Sequence, residues 1–564
     1  MTNSIAAEIE DCKSGATRIS DEIPSLPASE SSEAPDAPDT PPAPTLPGLI
    51  RHFARFAPER VALVAGELRL TYGELERAVA AAAAGLQSLG VQRGERVAVL
   101  MGNRVEWVIG SLAAMTLGAT VVALNTWWTA SEIEYALEHS EASCLIAAAR
   151  YLRREWPAEV DALIARGRVP ALRVRVAVGD GAPATWVPWS RLCRDDPPPA
   201  PSAPGVDDVA LLLYTSGSTS RPKAVQLAHG HLVENPWHIG RRQCLRPDDR
   251  LWLAVSLFWG FGCSNALPAI LSHGGCLVLQ ESFDAGEALA LIERERCTVV
   301  YGTPNMFQAM HEHPDRARRD LSSLRTGTTL GTPEQLMRVV ALGATQICNV
   351  YGLTEIYGNS HATSADDPLA LRLAWSGRPL PGVSQRIVDP QTGLDLPPGE
   401  VGELRLKGRV MLGYLKDEAQ TRAAFDEQGY FRTGDLAVVD AQGNMQFRGR
   451  LKEMVKTGGI NVSPAEIESV LMTHPDVQQA LVTGVPDAVR DEVLGAVVIA
   501  REGRALDADA LRGFCRRQLA AYKVPSYFCF TTEDALPLTT TGKVQKNRLA
   551  QVFFARESST EAAS

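Results

Sequence analysis

Short apolar runs alternate with helical segments along the chain from Leu49 onward. Arg77–Leu89 is rich in alanine and predicts a helix, whereas Glu95–Leu100 is an apolar run that predicts a strand. A second, apolar helix is predicted over Val105–Leu117. Further strands are predicted at Thr120–Leu124, Ala210–Tyr214, Leu251–Val255, Cys276–Leu279, Thr298–Tyr301 and Gln346–Val350. Buried strands that alternate with helices indicate mostly parallel sheets covered by helices on both faces.

The pattern changes after about Gly382, where shorter β elements separated by turn signals predict a β-rich part. The last stretch, 451–553, has a pattern of its own that is sufficient for a small α+β domain. Its predicted elements after a first strand are a helix at Ser463–His474, strands within 479–485 and 492–500, a helix at Asp507–Leu519, and a polar tail.

The predicted fold class is therefore α/β, in two domains between two tails. A large N-terminal domain of mostly parallel sheets layered with helices, together with the β-rich part, covers 47–450, and the small C-terminal domain covers 451–553. Residues 1–46 are rich in proline, alanine, serine and acidic residues, so they predict a disordered tail that cannot bury enough apolar surface to offset its chain entropy. Residues 554–564 predict a second tail.

Composition narrows the class of protein. Of 564 residues, 45% are hydrophobic and 22% are charged, which allows an ordinary globular core. The net charge of −10 argues against a general nucleic-acid binder. The 10 cysteines include no CxxC pair, and the sequence shows neither an apolar run long enough to span a membrane nor a secretory signal. We therefore expect scattered buried thiols and a cytoplasmic protein.

The densest cluster of chemically informative residues follows the strand at Ala210–Tyr214. Hydroxyl groups, glycine and one lysine that could bind phosphate oxygens are contributed by Thr215, Ser216, Gly217, Ser218, Thr219 and Lys223. The segment is not a Walker A loop, because Lys223 lies between proline and alanine. An ordinary polar loop is the alternative, but the density of these residues favours a phosphate site.

This segment resembles the phosphate loop of the adenylate-forming superfamily, which includes acyl-CoA synthetases, nonribosomal peptide adenylation domains and luciferases. Other segments resemble motifs of that superfamily in the same order, over about 47–553. They are Leu70–Leu75, Leu117–Asn125, Asn349–Glu355, Gly402–Leu404, Gly413–Tyr414, Tyr430–Asp435, Gly449–Gly459 and Pro537–Lys546. So many motifs in order, over nearly the whole folded part, are stronger evidence than any one of them.

The resemblance implies that a carboxylate attacks the α-phosphorus of ATP and expels pyrophosphate, with Mg²⁺ as cofactor. It implies that Glu355 holds Mg²⁺, that Thr354 contacts the α-phosphate, and that Lys543 reaches the α-phosphate and the substrate carboxylate. The implied contacts to the rest of ATP are Lys223 with the outer phosphates, Tyr351 and Gly352 with adenine, Gly331, Thr332 and Pro333 in the adenine pocket, Asp435 on the ribose hydroxyls, and Arg450 on ribose or phosphate. Taken singly, Asp435 is typical of a turn and Lys543 of a solvated loop, but the set together favours catalysis.

The same resemblance implies a second half-reaction with CoA, after rotation of a mobile C-terminal domain. Lys452 occupies the hinge position, and Gly458 and Gly459 would let a pantetheine thiol pass close to the backbone. Lys456 is expected to contact phosphate in the second state. An exposed basic loop is the alternative interpretation of Lys452 and Lys456.

Four positions depart from the superfamily pattern. Ser220 and Ala224 stand where glycine is usual, and Ile460 stands where many relatives have a polar residue. Trp259 stands where many relatives have histidine, so it is either core filling or a wall of the acyl pocket. Further pocket candidates by motif position are Phe258, Phe261, Cys263, Asn265, Leu330, Ile356, Tyr357 and Asn359.

This mostly apolar and aromatic set predicts a fatty, alicyclic or aryl acid rather than an α-amino acid, with Asn265 and Asn359 available to a polar group of the substrate. The expected function is therefore AMP-forming ligation of a small-molecule carboxylic acid to CoA. Two alternatives stay open. The acyl group could pass from the adenylate to the phosphopantetheine of a separate carrier protein, or to an amine or another small nucleophile. The chain could also be a nucleotide-binding homologue that no longer catalyses.

Overall fold

The computed structural model describes residues 40–193, 204–215, 222–457, 460–487, 490–519, 521–538 and 544–555. The described residues belong to one compact unit, Thr40–Ser564. Several predicted site residues lie outside these ranges, namely Ser216, Gly217, Ser218, Thr219, Gly458, Gly459 and Lys543. So do Ser220, the side chains of Lys456 and Ile460, and most of the two predicted tails.

The strands are numbered in chain order. Those of the first two-thirds are β1 (Val61–Ala65), β2 (Leu68–Thr71), β3 (Arg96–Leu100), β4 (Thr120–Ala123), β5 (Cys144–Ala148), β6 (Val174–Val178), β7 (Val187–Pro188), β8 (Val209–Thr215), β9 (Lys223–Ala228), β10 (Arg250–Leu253), β11 (Cys276–Leu279), β12 (Val299–Tyr301), β13 (Thr326–Thr329), β14 (Gln346–Tyr351), β15 (His361–Ala362) and β16 (Arg378–Pro379). The later ones are β17 (Ser384–Val388), β18 (Gly402–Lys407), β19 (Gly413–Tyr414), β20 (Phe431–Val439), β21 (Met445–Arg450), β22 (Val455–Thr457), β23 (Ile460–Val462), β24 (Val477–Asp487), β25 (Asp491–Ala500) and β26 (Tyr527–Thr531).

The helices are numbered in the same way. They are α1 (Leu46–Phe56), α2 (Tyr72–Ser88), α3 (Val105–Thr116), α4 (Ala130–Ser140), α5 (Trp156–Ala165), α6 (His229–Arg242), α7 (Leu267–Ser272), α8 (Ala285–Glu295), α9 (Pro304–Glu312), α10 (Pro333–Leu342), α11 (Leu369–Ala374), α12 (Glu418–Ala423), α13 (Pro464–Met472), α14 (Ala508–Arg516) and α15 (Lys546–Phe553). A π-helical turn at Phe261–Ala266 precedes α7, and single 3₁₀ turns at Thr354–Ile356 and Leu451–Glu453 matter for the site.

The strands form four sheets in the described part of the chain. The order of the first is β19-β9-β8-β4-β3-β5-β6-β7. Its pairings are parallel except those of β8 with β9 and of β9 with β19, which are antiparallel. The order of the second is β16-β15-β14-β13-β12-β10-β11-β1-β2, whose middle strands are parallel. An antiparallel sheet, β17-β18-β20-β21, forms the β-rich part, and β22 to β26 form the sheet of the C-terminal part.

Helix α3 lies between the two large sheets. It contacts β3 and β4 of the first sheet and β1 of the second, and it is buried along its whole length except at Glu106. A helix that is apolar on all sides is stable only when other elements cover it completely. The cluster of buried residues around it continues into both sheets, so the two sheets share one core.

The sequence predicted this α/β architecture, with a small α+β part at the end, and the structure confirms it. The prediction of a polar tail after the last helix is wrong, because β26 and α15 occupy that stretch. Strand β26 pairs in parallel with β25, a long-range contact that local periodicity does not report. Phe554, which the sequence assigned to the terminal tail, is buried with Tyr527 beside it.

Candidate functional site

The strands β8 and β9 present the two ends of the predicted phosphate loop side by side. Thr215 pairs with Lys223 in the antiparallel register. Helix α4 holds both ends, since the Tyr214 hydroxyl donates to the carbonyl of Ala136 at 3.1 Å and the Tyr135 hydroxyl donates to the carbonyl of Pro222 at 3.1 Å. The loop residues 216–221 lie outside the described part of the chain.

Glu355 and Lys223 meet around Tyr414. The Tyr414 hydroxyl donates to Glu355 Oε1 at 3.1 Å, and Lys223 Nζ lies 4.8 Å from the centroid of the same ring. Strand β19 brings Tyr414 there by pairing with β9, and the Met411 N–H donates to the carbonyl of Glu355 at 2.7 Å. One tyrosine thus contacts both the predicted metal ligand and the predicted phosphate lysine.

The chemistry of Glu355 suits magnesium. Part of the residue reaches the surface, but its carboxylate lies deep enough that burial raises its pKa, against the lowering effects of its own backbone N–H and of Tyr414. The described residues contain no group of three or more histidine, cysteine, aspartate or glutamate side chains that could hold a metal ion. A single carboxylate together with substrate phosphates is a common way to bind Mg²⁺, so Glu355 would share the ion with ATP.

Tyr351 and Asp435 meet at the other end of the site. The Tyr351 hydroxyl donates to Asp435 Oδ2 at 2.7 Å, and Arg450 Nε lies 3.4 Å from Asp435 Oδ1. Burial raises the pKa of Asp435, whereas Tyr351 and Arg450 act in the opposite direction. The ring of Phe447 lies nearly parallel to that of Tyr351, with 6.2 Å between centroids, and is 41% exposed. This end can therefore offer a carboxylate to ribose hydroxyls and flat apolar surface to a base.

The segment Gly331–Pro333 begins helix α10. Thr332 is the N-cap, and it exchanges hydrogen bonds with Gln335, whose Oε1 accepts from the Thr332 N–H at 2.9 Å. Gly331 has a φ of +147°, and a Cβ there would lie 2.3 Å from Gln335 Oε1. A glycine at this position therefore lets the backbone lie close to the Gln335 side chain that completes the cap. Leu330, which precedes it, is 51% exposed.

Aromatic side chains surround the turn between β10 and the π-helical segment. Trp259 contacts Trp127 at 6.0 Å and Phe258 at 6.4 Å between ring centroids. Phe261 lies 5.3 Å from the ring of Tyr301. A Cβ on Gly260 would lie only 3.9 Å from Thr354 Oγ1, so this aromatic turn borders the predicted α-phosphate contact.

The remaining pocket candidates have different surroundings. Asn265 and Asn359 are almost completely buried, at 0% and 3% exposure, and both lie near the loop that carries Glu355. Tyr357 is buried, and its hydroxyl accepts from the Ala228 N–H at 2.8 Å. Ile356 belongs to the hydrophobic core. Cys263 Sγ lies 3.3 Å from the carbonyl oxygen of Trp259.

Comparison with known proteins decides the family. Residues 50–415 match the family described as AMP-binding enzyme, and residues 466–543 match the AMP-binding enzyme C-terminal domain. The chain belongs to the AMP-binding enzymes. A feruloyl-CoA synthase from an Amycolatopsis species is 37% identical over 511 residues, covering 89% of this chain and 97% of the relative. A 3-[(3aS,4S,7aS)-7a-methyl-1,5-dioxo-octahydro-1H-inden-4-yl]propanoyl:CoA ligase from Mycobacterium tuberculosis is 36% identical, covering 88% and 97%.

Solved structures agree with these relatives. The anthranilate CoA ligase AuaEII in complex with anthranoyl-AMP superposes with a TM-score of 0.82 at 27% identity, covering 93% of this chain and 99% of that one. ATP-bound MatB from Rhodopseudomonas palustris superposes with a TM-score of 0.79 at 29% identity, covering 89% and 98%. This AMP-binding enzyme is an AMP-forming acyl-CoA ligase, which activates a carboxylic acid with ATP through an acyl-adenylate. Among its described residues, no helix is both long and apolar enough to cross a membrane.

The predicted hinge lies in a short turn that follows the β-rich part. Lys452 is exposed in the 3₁₀ turn at Leu451–Glu453, directly after β21. Lys546, three residues beyond Lys543, binds Glu468 at 2.7 Å and lies 3.7 Å from Glu453. The chain that carries the lysine motif is thus tied to the turn where the hinge is predicted.

Sequence reasoning did not single out the site roles of Trp127, Phe447 and Tyr301, and it named Tyr414 only as part of a motif. The adjacent tryptophans Trp127 and Trp128, and the aromatic Phe447 between polar neighbours, are weak signals for the first two. The contact of Tyr414 with Glu355 depends on the pairing of β19 with β9, for which the sequence gives no local signal.

The departure at Ala224 has a simple backbone explanation. Ala224 lies in β9, pairs with Tyr214 and is fully buried, and it is absent from the residues with positive φ. Alanine is therefore compatible with the strand conformation that this chain adopts there.

Proposed function

We propose that this ligase acts on a compact aryl or alicyclic carboxylic acid and uses free CoA as the acceptor. The observation that supports this best is the aromatic wall formed by Trp127, Phe258 and Trp259 beside Thr354. Flat rings gain more from such a wall than a flexible chain does, because ring stacking adds to the area that is buried. Relatives named for feruloyl and dioxo-octahydro-indenyl propanoyl acids, and a structural neighbour named for anthranilate, agree with a ring-bearing substrate.

We assign the catalytic roles of Glu355, Lys223 and Asp435 from the contacts described above and that of Lys543 from its motif alone. Glu355 would share Mg²⁺ with the phosphates, Lys223 would face the outer phosphates, and Asp435 would accept the ribose hydroxyls beside Tyr351. Lys543 would stabilise charge on the α-phosphate as the acyl carboxylate attacks. Glu355, Lys223 and Lys543 would act on charge that moves during adenylation, so they would serve the chemical step, whereas Asp435 would hold the nucleotide.

The second step would follow a rotation of the C-terminal part about Lys452. Residues 47–450 and 451–553 would be the two rigid bodies, and Gly458 and Gly459 would border the path of the thiol. A cytoplasmic location would supply both ATP and CoA.

The test is pyrophosphate and AMP release from ATP and Mg²⁺ over a panel of acids. It compares benzoate, cinnamate, 3-phenylpropanoate and cyclohexanecarboxylate with hexanoate, octanoate and palmitate, each with no acceptor, with CoA, and with an acyl carrier protein in its phosphopantetheine form. We expect kcat/KM to be highest for a ring acid and turnover to depend on CoA. A preference for octanoate or palmitate would overturn the substrate class, and stimulation by the carrier protein alone would overturn the acceptor.

A variant of Trp259 tests whether the aromatic wall causes the preference for ring acids. Trp259→Ala should lower kcat/KM for ring acids by about tenfold while changing hexanoate less, since ring contacts contribute about 0.5–1.5 kcal/mol beyond area burial. The control is Trp186→Ala, because Trp186 is a buried tryptophan that donates to Asp161 at 3.0 Å, away from the aromatic wall, whereas Trp259 is partly buried. Equal effects of the two variants on ring and chain acids would contradict the proposed wall.

A further inference from the structure

A chain of hydrogen bonds leads from Gln243 through Tyr301 to the buried Asn265 amide. Gln243 Nε2 donates to the Tyr301 hydroxyl at 2.6 Å, and that hydroxyl lies 3.3 Å from Asn265 Oδ1. The hydroxyl has one proton, so it accepts from Gln243 and donates to Asn265. Asn265 Oδ1 is the acceptor in this arrangement, and Gln243 Oε1 at the other end of the chain is likewise buried without a hydrogen-bond partner among the described residues.

The donors of two buried amides have no protein partner. Among the residues that the structure describes, Asn265 Nδ2 and Asn359 Nδ2 are buried and have no hydrogen-bond partner. Asn359 is itself held by its main chain, because Asn235 Nδ2 donates to the Asn359 carbonyl at 2.6 Å. A buried donor without an acceptor costs more than an ordinary hydrogen bond contributes, so each such group calls for an explanation.

Both amides lie behind the acyl-binding region of the proposed function. Asn265 belongs to the π-helical turn that follows Trp259, and turns of this kind are rare and often occur at functional sites. Gly358, at a φ of +95°, lies against it, since a Cβ there would be 3.4 Å from Asn265 Nδ2. Gly358 and Asn359 belong to the loop that carries Thr354 and Glu355. The unpaired donors thus adjoin the segment that holds the reacting end of the acid.

We propose that Asn265 and Asn359 form an oxygen-recognition site for the acyl group. The substrate then carries, away from its carboxylate, a neutral carbonyl, ether or hydroxyl oxygen that accepts hydrogen bonds from these two amides. This inference rests on the proposed function for the position of the acyl group. A second carboxylate fits less well, because the side chains that hydrogen bonds place beside the amides, Tyr301, Gln243 and Asn235, are neutral, and a buried charge without a cation is costly.

The test uses pairs of acids that differ only in one oxygen. The alicyclic pair is 4-oxocyclohexanecarboxylate against 4-methylenecyclohexanecarboxylate, and the aryl pairs are 3- and 4-methoxybenzoate against 3- and 4-ethylbenzoate. A chain pair, 7-oxooctanoate against 7-methyleneoctanoate, examines oxygen recognition without a ring. We expect the oxygen-bearing member of at least one pair to have a kcat/KM at least about tenfold higher, because its isostere leaves the amide donors unpaired.

Variants then assign the preference to the two amides. Asn265→Leu and Asn359→Leu remove the donors at similar volume, so the ratio within the preferred pair should fall toward one through loss of the oxygen-bearing acid. The control is Asn444→Leu, because Asn444 is also buried but its Nδ2 is satisfied by Asp440 Oδ2 at 2.8 Å in a turn of the β-rich part. That variant should keep the ratio. If a leucine variant does not fold, Asn265→Ala removes the same donor with less apolar bulk.

The outcomes separate this inference from the proposed function. Ratios near one for every pair in the unaltered enzyme would overturn the inference, since a resident water would then satisfy the amides. Turnover of the chain pair alone, with a preference for 7-oxooctanoate, would overturn the ring-acid proposal and support oxygen recognition. A preference that survives both leucine variants would place the recognising group elsewhere and would also overturn the inference.

Discussion

Replacing Tyr414 by phenylalanine removes one hydroxyl from the phosphate end of the site and leaves the ring in place. That hydroxyl donates to Glu355 Oε1 at 3.1 Å, and a hydrogen bond to an ionised carboxylate contributes about 1.5–3 kcal/mol. Burial already raises the pKa of Glu355, and Tyr414 opposes that rise. Tyr414→Phe should therefore raise the pKa of Glu355 further.

The sign of the pH effect follows from the role of Glu355. A carboxylate holds Mg²⁺ in its ionised form, so protons compete with the ion. The acid limb of kcat/KM for ATP should move to higher pH in Tyr414→Phe. The activity loss should reach about tenfold to 100-fold on that limb and shrink as the pH rises, because about 1.4 kcal/mol corresponds to a factor of ten.

The assay is initial-rate pyrophosphate release at saturating acid and CoA and fixed free Mg²⁺, from mildly acidic to mildly alkaline pH. Tyr414→Leu also removes the ring 4.8 Å from Lys223 Nζ, which should add a pH-independent loss of about 0.5–2 kcal/mol. Tyr430→Phe is the control, because Tyr430 contacts Arg386 and Lys407 outside the site. A loss by the same factor at every pH in Tyr414→Phe, or no loss at all, would refute the reasoning.

Three further predictions concern the nucleotide, the transition state and stability. Asp435→Asn should raise the KM for ATP by about tenfold or more while kcat changes less, since a hydrogen bond to a charged acceptor is replaced by one to a neutral acceptor; steady-state kinetics in ATP checks this. Lys543→Ala should abolish adenylation but leave the Kd for ATP nearly unchanged in calorimetry, and equal losses of both would contradict its transition-state role. Burial lowers the pKa of His229, His273 and His361 to about 4. Because the unfolded chain binds their protons near pH 6.5, stability should fall as the pH falls, by about 2 kcal/mol per histidine at pH 5. Urea unfolding against pH measures this slope, and His361→Gln should flatten it.

The local pattern of hydrophobic and polar residues was sufficient to predict most of the strands and helices. The buried runs at Cys276–Leu279 and Gln346–Val350 are strands because parallel pairing buries both faces, which produces continuous apolar segments. The sequence did not predict elements whose formation depends on pairing or packing with distant parts of the chain. Strand β26 forms beside β25, and α15 packs after it, in a stretch that reads as polar.

The candidate site shows the same division. Motif order predicted site roles for Glu355, Asp435 and Tyr351, but not that the Tyr351 hydroxyl binds Asp435 across 84 positions of sequence. The sequence also predicted that Asn265 and Asn359 lie near the acyl group. It gave no sign that their donors are unpaired, because that depends on the Gln243 and Tyr301 side chains on other elements.

The shared core around α3 has a consequence for how the chain is made in the cell. Strand β1 pairs in parallel with β11, with Leu63 opposite Leu277. This pairing cannot form until β11 has left the ribosome, roughly 200 residues after β1. At about 5–20 residues per second, this delay lasts on the order of ten to forty seconds. During that time α3 and the inner face of the first sheet have no second sheet to cover them. Nascent chains that end before β11 should therefore bind chaperones or aggregate, and a fragment containing only the first sheet should be a poor candidate for separate expression.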